Sequence, residues 1–128
     1  GSLSQVNPQV SGSAYVDEII VWNKQVAVMQ KRIAQMELGD TQQSLDRLFT
    51  QLTKKSNGHR EQLELLVTDG NYRLNDEERI AQINRLHSAE QELYNFAKTA
   101  YQEAVVYSKQ LPKQEQEIKV IKQLQDLP

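Results

Sequence analysis

From Asn75 to Leu111 the chain carries one apolar seam that never loses step. Ile83, Leu86, Glu90, Leu93, Ala97, Ala100, Ala104, Tyr107 and Leu111 recur at alternating intervals of three and four. That spacing keeps one face of a helix turned towards a neighbour, here with a single polar intruder, Glu90. Asn75 followed by Asp76-Glu77-Glu78 is a capping box, in which the Asn takes an orphan amide and Glu78 reaches back to the cap. Pro112 is expected to close the helix, because proline lacks the amide and clashes with the preceding turn. At a rise of about 1.5 Å per residue this helix is roughly 55 Å long. Such a rod is too long for a small globular core and suits the spine of an elongated bundle.

A second seam precedes it. Tyr15, Ile19, Trp22, Val26, Met29, Ile33 and Met36 step by four and three without interruption, and predict a helix from a Ser13 cap to Leu38. Further apolar lines, Ala14-Val21-Val28 and Ile20-Ala27-Ala34, lie elsewhere on its circumference. A helix apolar on several sides has more than one neighbour, which argues for at least three helices. Gly39 is the expected stop, and Asp40-Thr41-Gln42-Gln43 reads as a capping box restarting the chain at once. So short a connection returns the next helix antiparallel.

That second helix is expected from Asp40 to about Thr68. Asn57-Gly58 is a turn signal inside it, and a mid-helix Gly costs about 1 kcal/mol against Ala. Yet Phe49, Leu52, Ser56, His59, Leu63 and Leu66 keep heptad phase across the pair, which favours one helix over two joined at Ser56-Asn57-Gly58. Thr68-Asp69-Gly70-Asn71 is a turn with Gly70 as its left-handed candidate. Leu74 is placed to staple onto the first turn of the spine helix.

The fold expected is therefore all-α: an elongated antiparallel bundle of three long helices over 14–111, with room for a short fourth. Residues 1–13 read as a flexible lead-in. Gly1-Ser2 resembles the scar of a cleaved tag, and Leu3, Val6 and Val10 are its apolar points. Residues 112–128 read as an amphipathic tail or short helix on Ile118, Val120, Ile121, Leu124 and Leu127. The expected core is Ile19, Trp22, Val26, Met29, Ile33, Leu45, Leu48, Leu52, Leu63, Leu66, Ile83, Leu86, Leu93, Ala97 and Ala100. The small Ala97, Ala100 and Ala104 are expected to receive the bulky Trp22 and Met29.

Composition narrows the function. Net charge is −2 and the basic residues are scattered, so nucleic-acid binding lacks an electrostatic driving force. No cysteine is present; disulfides and thiolate metal sites are excluded, and cytosol and periplasm fit equally well. No apolar run approaches the roughly 20 residues that span a bilayer, so no membrane insertion is expected.

No motif carries chemistry. His59 and His87 lack ligand spacing and read as surface or half-buried. Asp69-Gly70-Asn71 opens like a calcium loop, but Arg73 and Leu74 stand at later ligand and glycine positions. Glu90 at a core-facing position needs a partner, and Lys, Arg or His59 across the bundle would serve. A buried proton or metal site there would need further inward carboxylates that the other seams do not offer. No nucleophile–base arrangement or phosphate loop can be placed. Enzyme activity and cofactors are not expected.

Trp22 early in the first helix, Leu38-Gly39-Asp40 and Leu45-x-x-Leu48, within three helices of about thirty residues, resemble a spectrin-type repeat. Where such repeats place a second tryptophan, Glu90 or Tyr94 stands here. The glutamine-rich stretch from Trp22 to Gln30 is also similar to the minor pilus subunits of type IV secretion systems, which are three-helix bundles with a tail. No residue role is carried over from either.

The function expected is a non-enzymatic interaction or scaffolding module that binds protein partners through a helix face, with a homo-oligomer among them. Three patches are candidates: the Val21/Val28 line, the Tyr94/Tyr101 line, and Ile118, Ile121 and Leu124 in the tail. Two alternatives stand beside it. One is an extracytoplasmic structural subunit of a bacterial secretion or conjugation machine; the other is a ligand-sensing bundle with a pocket at Glu90 and His59.

Overall fold

A computed structural model describes the backbone of residues 2–68 and 74–127, and the side chains of 13–68 and 74–127. The chain is all-α, with no strand among the described residues. Three helices make up the bundle: α1 (Ser2–Gln35), α2 (Gln42–Val67) and α3 (Asp76–Gln125). Each packs on the other two, and α2 and α3 lie less closely against each other than either does against α1.

Helical backbone in α1 begins at Ser2, so Ser13 lies inside the helix and not at its cap. The expectations for Leu3, Val6 and Val10 fall outside the described side chains. Ile19, Val26, Met29 and Ile33 of the predicted seam are buried, and Trp22 is half-buried. Gly39 follows in the left-handed region at φ 54°, where an L side chain is strained. A Cβ there would stand 3.3 Å from Leu111 Cδ2 and 3.7 Å from the Tyr107 hydroxyl. The turn between α1 and α2 thus rests on α3 at Tyr107 and Leu111.

Asp40 does not cap α2. Gly39–Thr41 forms a 3-10 turn, and Thr41 at the N-cap makes no side-chain capping bond. The turn takes Asp40 out of the position from which its carboxylate could meet the first free amides. Gln42 stitches the corner instead: its Oε1 accepts from the Leu38 amide at 3.1 Å, and its Nε2 donates to the Ile33 carbonyl at 3.0 Å. From there α2 runs unbroken through Asn57-Gly58. Its buried line is Phe49, Ser56, Leu63 and Leu66, with Leu45, Leu48 and Leu52 half-buried beside it. The expected turn at Gly70 lies outside the described residues.

Asn75 caps α3 as expected, its Oδ1 accepting from the Glu78 amide at 2.8 Å. The return bond runs between side chains, Asn75 Nδ2 to Glu78 Oε1 at 3.3 Å, and does not reach the cap amide. The larger correction concerns Pro112. It does not end the helix, and no fourth helix follows: α3 continues through it to Gln125 for 50 residues in all. Proline inside a helix costs about 3 kcal/mol through its missing amide and its clash with the carbonyl four residues back. Here that carbonyl belongs to Ser108. Strong helix formers flank the site on both sides, Glu115 stands four residues before Lys119, and Pro112 is exposed. No packing resists local distortion at such a place.

The core has two apolar clusters. Ile19, Leu63, Leu66, Ile83 and Leu86 form one, with Leu74 packed on it. The other holds Val26, Met29, Ile33, Leu38, Phe49, Leu93, Ala97 and Ala104. Met29 shares this second cluster with Ala97 and Ala104, the small residues expected to receive it. Trp22 does not; its ring lies over Tyr94 at 5.8 Å and against His87 at 5.0 Å.

Candidate interaction surfaces

Between the two clusters sits a polar layer centred on one buried polar residue from each helix. Glu90 of α3 is wholly buried. Its Oε2 accepts from Ser56 Oγ of α2 at 3.0 Å, and Ser56 Oγ accepts from Asn23 Nδ2 of α1 at 2.9 Å. Asn23 Nδ2 also donates to Asn57 Oδ1 at 2.9 Å, and Arg60 Nη1 donates to Asn23 Oδ1 at 3.1 Å. A chain of hydrogen bonds thus runs from a half-buried guanidinium to a buried carboxyl. His59 Nδ1 stands 3.7 Å from Glu90 Oε2, the cross-bundle pairing the seam anticipated. That nitrogen and Glu90 Oε1 have no hydrogen-bond partner among the described residues.

Burial governs the charge of this layer. Desolvation pushes the Glu90 carboxyl up to about 7, against the opposing hydrogen bond from Ser56. Desolvation, helped by the Lys55 charge, holds the His59 imidazole below its usual range. A neutral carboxyl and a neutral imidazole satisfy a buried site better than two ions so poorly hydrated. His87 is buried too, contrary to the surface or half-buried state expected. It stacks on Tyr15 at 3.7 Å and meets Glu18 Oε2 at 3.2 Å. The stacked Tyr15 ring and the tilted Trp22 ring supply the apolar contact that its sequence spacing did not reveal.

The predicted patches fare differently. Val28, Tyr94 and Tyr101 come together in one groove between α1 and α3, of about 370 Å³, with Met29, Arg32 and Lys98. The tyrosines are half-buried there and pack on the core, so they form a second layer and not an exposed row. Arg32 Nη1 donates to the Tyr101 hydroxyl at 3.5 Å. Val21 is exposed outside that groove. Ile118, Ile121 and Leu124 stand on the part of α3 beyond the turn, where every residue from Pro112 to Gln125 is exposed.

Two further grooves open between α2 and α3. One, of about 520 Å³, is lined by His59, Leu65, Leu66, Leu86 and Arg85 among others. The other, of about 580 Å³, is lined by Leu45, Leu48, Phe96, Ala100, Ala104 and Tyr107 with a few polar neighbours. Phe96 on its edge is 56% exposed. Sequence reading missed this surface because Phe96 sits off the buried seam, and only the looseness of the α2–α3 contact turns it into a groove. Among the described residues no three His, Asp or Glu side chains gather as metal ligands, and no helix is long and apolar enough to cross a membrane. No family model matches the chain, and no curated protein or solved structure matches it.

Proposed function

We propose that this protein is a non-enzymatic interaction or scaffolding module: an elongated up–down–up bundle whose third helix reaches past its neighbours and presents a bare seam to a protein partner. One observation carries the reading. Past Leu111 the helix α3 runs on uncovered, and Ile118, Ile121 and Leu124, at steps of three along it, are 53%, 53% and 62% exposed. A contiguous apolar stripe held out on a helix is a recurrent way to dock into a partner's groove. The up–down–up order is supported by the clusters, since Ile19 near the start of α1's described side chains joins Leu63 and Leu66 near the end of α2.

The test is a photo-crosslinking amino acid at position 121, with position 31 on the outside of α1 as control, in cells that make the protein. A defined adduct from position 121 and none from position 31 is expected. Equal yields, or none from either, would remove the bare seam as a docking surface.

A ligand-sensing reading has one observation in its favour: the groove beside His59, with leucines on its floor and Arg85 among its lining. It would suit a short-chain carboxylic acid, head on Arg85 and tail on the leucines. A rise in melting temperature with millimolar hexanoate, abolished in Arg85→Ala, would favour it; no rise would dismiss it.

A further inference from the structure

The bare seam and the α2–α3 groove share one face of one helix. Phe96, Ala100, Glu103, Tyr107, Gln110, Gln114, Ile118 and Ile121 follow one another at steps of three and four. At 3.6 residues per turn they fall within an arc of about 80°. The first four line the groove, and the last three stand on the overhang. Bulk on the overhang half (Ile118, Ile121, with Leu124 beside them) answers the small Ala100 and the open floor over Leu45 and Leu48 on the groove half.

We infer that this face joins two copies of the chain, each laying its α3 overhang, Pro112–Gln125, into the α2–α3 groove of the other. This rests on the proposed interaction role and names the partner. Two observations single out a second copy. The docking halves lie on either side of Gln110-Leu111, so a two-fold axis there puts each overhang against the other chain's groove, as an isologous interface requires. Lengths agree: the overhang of about 20 Å meets a groove whose α3 wall, Phe96 to Tyr107, is about 17 Å long. In this arrangement Ile121 lies over Ala100 of the other copy, Leu124 beside Phe96, and Gln114 beside the Tyr107 hydroxyl.

The chain has no cysteine, so engineered pairs report cleanly. Equal amounts of Ala100→Cys and Ile121→Cys chains, oxidised together, are expected to give mainly the mixed disulfide dimer. In the docked pair two Ile121 positions stand roughly 30 Å apart, so Ile121→Cys alone is expected to stay unlinked. Sedimentation equilibrium of the unaltered chain is expected to show a reversible dimer. Ile118→Asp combined with Ile121→Asp should lose it while keeping the helical circular dichroism, because both side chains are bare in the single chain.

Efficient disulfides from Ile121→Cys alone would mean that overhangs pair with each other, and would overturn the groove docking. A monomer at every concentration would overturn the second copy as occupant. If position 121 still crosslinks a different protein in cells, the interaction role stands without it.

Discussion

Residues 76–111 and 112–125 of α3 are one helix with opposite company. Along the first stretch Ile83, Leu86, Leu93, Ala97 and Ala104 are buried under α1 and α2. Along the second, Ile118, Val120, Ile121 and Leu124 face solvent. Apolar residues recur on both sides of the turn, so their presence alone does not say whether a face is covered. What separates them is the end of the neighbours: α1 stops at Gln35 and α2 starts at Gln42, with the corner resting on Leu111.

The largest expected effect tests that contrast directly. Leu93→Ala, on the covered stretch, should cost about 2–5 kcal/mol in denaturant unfolding. Ile121→Ala should cost less than about 0.5 kcal/mol in dilute protein. A comparable cost at both positions would mean the overhang is covered in the single chain, and the distinction would fail.

A sharper test uses the charge within the covered stretch. The Glu90 carboxyl lies above its ordinary value when folded, so the folded state holds the extra proton. Its contribution to stability is then fully present in acid and lost as pH rises from 4.5 through about 7, amounting to at most about 3 kcal/mol. His59 acts in the other direction: its folded value is depressed, so stability falls as pH drops below its unfolded value. Glu90→Gln should therefore abolish the loss between pH 5 and 8 and leave the His59 slope standing. Thermal melts across that range, with the pH profile unchanged in the variant, would refute the assignment.

The smallest effect falls on α2, the helix that covers one stretch and not the other. Nothing lies within 4 Å of a Cβ built on Gly58. Gly58→Ala should stabilise the protein by about 0.5–1 kcal/mol, read from the unfolding midpoint. Destabilisation would show that α2 needs its weak point.

Much of this architecture can be read from the residues, because three heptad seams and an Asn75 cap are local patterns with local causes. Phase through Asn57-Gly58 outweighed the turn signal, since one solvent-facing Gly is a small penalty beside a continuous seam. Pro112 misled because its penalty is real but unopposed on an exposed helix. At the polar layer, Glu90 announced itself as an intruder, whereas its partners did not. Ser56 is unremarkable in a sequence, and Asn23 lies one place off its seam; only the packing of three helices brings them together. The α2–α3 grooves are hidden for the same reason, as they depend on how closely two helices approach.

The polar layer also answers a question that repeating seams leave open. Apolar residues seven apart would let α2 slide along α3 by two turns and still match leucine to leucine. On α2 the wholly buried positions Phe49, Ser56 and Leu63 follow at that interval, with one hydroxyl between two hydrocarbons. A slip either way would set Glu90 against Phe49 or Leu63 and strand a carboxyl with no donor, a penalty of several kcal/mol. Ser56 and Glu90 therefore work as an index mark: of the alignments that the hydrocarbon pattern tolerates, one alone lets the carboxyl be met.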